Sequence, residues 1–234
     1  MVAARTCWMC SGIAITSEHR LKKSDLRRLY GEGPFSGDDR LHHIRGDSRT
    51  RISGANSKVV KYEKNICLAC NSKRSQPYDM AYDRLIHWLL ENESDVLRKR
   101  FLNFADVYGY TEFEASQRNL YKYFAKSFGC RVNEASRVVP SDVCELFDKE
   151  RFETGLRITF SVNEQVAANE YPRTVGNGPL HEWQSPDTGD ARPGYTCSQF
   201  FSWFTVYFWY CIEPDGNLGS TWVANSQHVY LGSL

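Results

Sequence analysis

Two short cysteine pairs supply the first chemistry in this chain, Cys7-Trp-Met-Cys10 and Cys67-Leu-Ala-Cys70. A C-x-x-C loop is a tight knuckle that points two sulfurs at one ion, and two knuckles complete the four thiolates that tetrahedral Zn²⁺ prefers at about 2.3 Å. The spacing therefore assigns Cys7, Cys10, Cys67 and Cys70 to one structural zinc site that staples two distant segments together. A redox-active C-x-x-C ordinarily stands alone at a helix start, so a pair of them argues against thiol exchange. Cys130, Cys144, Cys197 and Cys211 are isolated and read as reduced thiols.

Each knuckle is followed by groups able to act on a phosphate. Behind the first, a short apolar alternation from Ser11 reads as a strand or turn ending at Glu18-His19, with Lys22 and Lys23 just beyond. Behind the second come Asn71, Lys73 and Arg74, then Pro77 at a first-turn position and the helical pattern Met80, Leu85, Ile86, Leu89, Leu90. At these residues the chain resembles the HNH endonucleases, ββα-metal nucleases built on a treble-clef zinc frame. The likeness is to members with an acidic-His pair after the first C-x-x-C and Asn after the second, and it covers residues 5–90. It implies metal-dependent hydrolysis of phosphodiester bonds, with DNA ahead of RNA as substrate. On that reading His19 is the general base, since neutral imidazole, with a reference pKa of about 6.5, takes a proton from water at physiological pH. Glu18 and Asn71 offer oxygen ligands to a Mg²⁺ or Mn²⁺ ion that stabilises charge developing on the phosphate. Lys22, Lys23, Lys73 and Arg74 would meet neighbouring phosphates of the nucleic acid, Arg74 in bidentate fashion. Adjacent strand residues point to opposite sides, so Glu18 and His19 share one site only if their segment is twisted or bulged.

Plainer roles compete for the same residues. Asn71 is also a favoured helix N-cap, and Lys73 and Arg74 can be solvated. Asp79, Asp83 and His87 recur every four residues and read as one solvated helix stripe, with Asp79 and Asp83 near enough to the knuckle to assist the site. His42 and His43 are secondary candidates for base or ligand, within a Gly31–Ser57 segment that reads as an inserted loop or hairpin. The third histidine of the motif, expected in the helix, has no counterpart. A non-catalytic zinc module that binds nucleic acid or protein is the competing class.

The elements that must position these groups fall into two unlike halves. Residues 1–101 carry 19 Lys/Arg against 12 Asp/Glu and 8 aromatics, whereas the rest carry 10 against 16 and 24 aromatics. A basic half suits a polyanion, because neutralising phosphates releases counterions, and a metal staple offsets its thin core. The acidic half looks like the larger core. There an amphipathic helix runs from Asn119 to a stop at Gly129, and a short capped helix begins at Ser141. Leu156–Val162, Phe200–Ile212 and Thr221–Leu231 read as strands, with a Pro214-Asp-Gly-Asn turn between the last two and residues 172–194 looping over the sheet. The expectation is an α+β chain of two domains: a zinc-stapled HNH-like unit over 1–101 and an α+β unit with an antiparallel sheet over 102–234. The role of the second unit stays open between target recognition, self-inhibition, partner binding and self-association. No stretch reaches the ~20 apolar residues of a membrane span, and no secretory leader precedes Cys7, so a cytoplasmic location is expected.

Overall fold

The computed structural model describes residues 5–37, 41–148, 152–184, 193–211 and 222–234. In chain order its elements are α1 (Lys23–Tyr30), β1 (Leu41–Arg45), β2 (Ser48–Ile52), α2 (Leu68–Asn71), α3 (Gln76–Glu91), α4 (Glu93–Lys99), β3 (Phe101–Asn103), α5 (Phe104–Tyr108), α6 (Phe113–Glu134) and α7 (Ser141–Glu145). They are followed by β4 (Leu156–Val162), α8 (Glu164–Ala167), β5 (Val175–Asn177), β6 (His181–Gln184), β7 (Pro193–Phe201), β8 (Phe204–Tyr210), β9 (His228–Tyr230) and β10 (Gly232–Ser233).

Alternation along the strands builds the main sheet. Leu156, Ile158, Phe160 and Val162 of β4 are buried, as are Phe204, Val206, Phe208 and Tyr210 of β8, so each strand presents one apolar face. The sheet runs β10-β4-β8-β7-β5, with β6 also on β7; all pairings are antiparallel except β10 with β4. Helix α6 lies on the apolar face, where Phe124 meets Phe160 and Phe208 at 5.9 and 6.0 Å and Phe128 meets Tyr210 at 6.0 Å. Its other side takes α3, through Tyr82 stacked on Tyr123 at 4.1 Å. The fold is therefore α+β in layers, α3 on α6 on the sheet, and one buried cluster extends from Cys7 to Leu231. Residue 101 lies inside this packing: β3 pairs antiparallel with β9, joining the end of the basic half to the C-terminal segment.

Four elements differ from the sequence expectation, among them the strand expected over Thr221–Leu231, of which, among the described residues, β9 keeps only His228–Tyr230. Helix α6 does not stop at Gly129 but runs on to Glu134. Gly129 is there because a β-carbon at that position would lie 2.4 Å from the Trp8 ring, so it marks a close approach within the helix rather than its end. The run from Phe200 is two strands, not one. It turns at Ser202-Trp203, with Phe201 opposite Phe204 and φ of 55° at Ser202, a two-residue hairpin that carries no Gly or Asn to announce it. The alternation after Ser11 forms no strand, only the single bridges Thr6 with Ile13, Thr16 with Ile66 and His19 with Lys61. Within the inserted segment, β1 and β2 form a hairpin over a small cluster of Leu21, Leu26, Phe35, Ile52, Ala55 and Val60. The turn read at Pro214–Asn217 lies outside the described residues, as do residues 185–192 of the Pro- and Gly-rich loop; the rest of that loop supplies β5 and β6.

Candidate functional site

The first knuckle is shaped by its own backbone. The Cys7 amide donates to Gly12 O at 2.6 Å and the Ser11 amide to Cys7 O at 2.8 Å, turning the chain so that Cys7 and Cys10 face one point. Cys67 is the N-cap of the one-turn helix α2 and accepts from the Cys70 amide at 3.4 Å. The Sγ atoms of Cys7, Cys10, Cys67 and Cys70 lie within 4.8 Å of one another, with Cys10 and Cys67 at 3.6 Å. Four sulfurs about 2.3 Å from one tetrahedral ion stand about 3.8 Å apart, so this group is close enough to bind a single metal ion. Burial pushes the thiols of Cys7 and Cys70 up, whereas the Cys70 amide pulls Cys67 down to about 7; a bound dication would hold all four as thiolates.

The second half of the chain clamps the knuckles. Trp8 packs against Gly129 of α6 and edge-on to Phe147 at 5.6 Å, while its carbonyl accepts from the Cys144 thiol at 3.3 Å. Arg74 is spent here as well. Its guanidinium, expected at a phosphate, bonds the Phe147 carbonyl, the Asp148 carboxylate and, at 3.8 Å, Cys70 Sγ. Lys73 is exposed.

Between the knuckles, residues 16–21 run antiparallel to 60–66 in a broken ladder. Three residue steps from Thr16 to His19 oppose five from Ile66 back to Lys61, so the partner segment bulges opposite Ser17, while the Tyr62 amide still donates to Glu18 O at 2.9 Å. Asn65, buried in that bulge, donates its amide N–H to Thr16 O and accepts from the Trp8 amide through its carbonyl. Asn71, at the end of α2, caps no helix: Ser75 precedes α3, and the Asn71 side-chain amide donates to Ser17 O at 3.4 Å. The second knuckle thus delivers Asn71 to the residue just before Glu18-His19. Asn71 Oδ1 and His19 Nε2 are both buried and lack a hydrogen-bond partner. Burial, and then the nearby charges of Lys61, Lys22, Lys23 and Lys126, hold the His19 imidazole down at about 4, so it is neutral at pH 7.

Glu18 is only partly open to water. Its carboxylate lies 3.3 Å from the ammonium of Lys126, a buried residue of α6, and Lys126 also stands 3.4 Å from Asp79. Lys22 is likewise turned inward, paired with Asp79 at 3.0 Å and Asp83 at 3.5 Å beneath the rings of Tyr82 and Tyr123. It is therefore not placed at an outer phosphate. Asp79 and Asp83 are not a solvated stripe: Asp83 accepts from Ser24 at 2.7 Å and Arg28 at 2.9 Å, fastening α1 to α3. His87, by contrast, pairs only with Glu91 on an exposed face. His43 lies in the electrostatic reach of Arg20, Arg45 and Glu134, and His42 approaches Arg49 at 3.4 Å on the hairpin.

The geometry brings Asn71 to the backbone of the Glu18-His19 segment and sets Lys23 in the field at His19. Sequence reasoning missed Lys126, whose only signal was a lysine on the apolar side of an aromatic helix, and Lys61, which faces His19 across the broken ladder. Among the described residues the four cysteines are the metal-binding group of His, Cys, Asp and Glu side chains that stands out. No family model, curated protein or solved structure matches the chain.

Proposed function

We propose that this chain is an HNH-type endonuclease that hydrolyses phosphodiester bonds of nucleic acid, with DNA the substrate ahead of RNA. The observation that carries the reading is the approach of Asn71 to the Glu18-His19 segment, with two buried polar atoms, Asn71 Oδ1 and His19 Nε2, left without partners. Buried polar atoms are costly to leave unpaired, so such a pair favours a site awaiting a ligand. The four thiolates suit Zn²⁺ as a structural ion, and the knuckles on either side of the broken ladder are what the treble-clef and ββα-metal likeness requires.

His19, neutral at physiological pH, would take the proton of a water lined up on phosphorus. Glu18 and Asn71 would hold a hard cation, Mg²⁺ or Mn²⁺, since one offers a carboxylate and the other an unpartnered amide oxygen. That ion, when bound, neutralises charge on the phosphate and the leaving oxygen. Lys23 and Lys61 add positive potential at His19 that favours a phosphodiester, while Lys73 is exposed for an outer phosphate. The isolated thiols fit a reducing compartment such as the cytoplasm.

A second reading is favoured by one observation: Glu18 is already neutralised by Lys126, as suits a zinc module that binds nucleic acid or protein without cutting it. Nicking of supercoiled plasmid with Mg²⁺ or Mn²⁺ separates the two. The nuclease reading expects wild type to nick and His19→Ala to lose about two orders of magnitude or more, as removal of a general base does, with zinc content and fold retained. Equal behaviour of the two proteins overturns it.

A further inference from the structure

Lysine is almost never fully buried unless paired, and Lys126 is 1% exposed in the middle of α6. Its ammonium is enclosed by Glu18 Oε1 at 3.3 Å and the two Asp79 oxygens at 3.4 and 3.5 Å, and lies 5.9 Å from the centre of the Tyr123 ring. Charge-assisted N–H···O bonds are ordinarily about 2.7–2.9 Å long, so the ammonium is shared loosely between two carboxylates rather than locked to either. Asp79 has a second cation, Lys22 at 3.0 Å, whereas Lys126 is the cation paired with Glu18. One group from the acidic half therefore supplies the positive charge at the carboxylate that the basic half offers to a metal.

We propose that Lys126 is a resident cation of the site: α6 inserts it between Glu18 and Asp79, and a divalent ion reaches the Glu18 carboxylate only in competition with it. The inference rests on Glu18 and Asn71 being the oxygen donors of the functional reading, and it gives residues 102–234 a task, control of metal loading. Two cations in one poorly hydrated pocket repel strongly, so an approaching dication and the ammonium cannot share Glu18 at full strength. Asp79 is the fallback partner, already in reach when Glu18 is given up. Lys126 acts through Glu18 and touches no substrate; it is a positioning residue.

The test is Mn²⁺ binding followed by electron paramagnetic resonance, using the full chain with its cysteine site loaded with zinc. A neighbouring charge alters the cation affinity of a carboxylate about ten- to a thousandfold, so Lys126→Met is expected to bind Mn²⁺ about tenfold more tightly or better. Equal or weaker binding by a folded variant overturns the proposal. Should the variant fail to fold, wild type carrying ¹⁵N-labelled lysine side chains decides. Mg²⁺ should shift the protected ammonium resonance of Lys126, and a resonance unmoved at saturating Mg²⁺ is equally fatal. The two readings fail separately. Tighter Mn²⁺ binding without any nicking leaves the resident cation and removes the nuclease; Mg²⁺-dependent nicking with unchanged affinity does the reverse.

Discussion

Replacing Gly129 by alanine should destabilise the protein although alanine is the better helix former. In a helix interior the exchange from Gly to Ala is worth about 1 kcal/mol of stability in its favour. Against it, the new methyl would lie 2.4, 2.7 and 2.7 Å from three atoms of the Trp8 ring. Carbon atoms sit comfortably at about 3.5–4.0 Å, so the ring would have to retreat by roughly 1 Å. It has little room. Phe147 stands behind it at 5.6 Å, the Trp8 amide and carbonyl are bonded to Asn65 and Cys144, and Cys7 next to it is a ligand of the metal group. Overpacking of this kind costs about 1–3 kcal/mol, leaving a net loss of up to about 2 kcal/mol. For a chain of this size that lowers Tm by up to about 8 °C in thermal unfolding at matched zinc content. With Trp8→Ala in the background the sign should reverse, because only the helix term survives. A Gly129→Ala variant that melts above wild type refutes the packing argument.

Further outcomes are accessible to routine measurement. Phe124→Ala should cost about 3–5 kcal/mol in urea unfolding, because Phe124 is fully enclosed between α3 and the sheet. Cys70→Ser should lower bound zinc from one equivalent towards none by elemental analysis and open residues 7–10 to limited proteolysis. Burial lifts the Asp25 carboxyl from 3.8 to about 6, against the Tyr82 hydroxyl, Arg28 and Lys22. The folded chain therefore holds that proton more tightly than the unfolded one. This residue's stabilising contribution is complete below about pH 4 and fades as pH rises through about 6. Asp25→Asn should gain on wild type across that window by up to about 3 kcal/mol, and a stability difference independent of pH between 4 and 7 contradicts it.

Local chemistry was legible in the sequence where one short segment decides the outcome. The C-x-x-C spacing found the four sulfurs, Pro77 marked the first turn of α3, and the alternation of Leu156–Val162 gave β4. Distant packing was not. Gly129 looks like a stop signal because nothing nearby in sequence shows that Trp8 fills the space beside it. Ser202-Trp203 hides a turn within an aromatic run because its positive φ falls on serine rather than on glycine or asparagine. The polar stripe Asp79, Asp83 reads as solvated until Lys22, Ser24 and Arg28 of the first segment arrive to cover it. Charge asymmetry pointed to the basic half as the polyanion-binding part, yet Lys126 reaches its pocket from the acidic half, a juxtaposition that the α3–α6 packing creates.

On the nuclease reading, a thiolate-bound ion assembles the proposed phosphodiester-cutting site by bringing Asn71 to Glu18-His19. The most direct test is the initial rate of plasmid nicking while a zinc-selective chelator strips the four cysteines in excess Mg²⁺, followed by restoration of zinc alone. Nicking should fall with the zinc content and return with it. Nicking that persists once the thiolates are empty would contradict that reading.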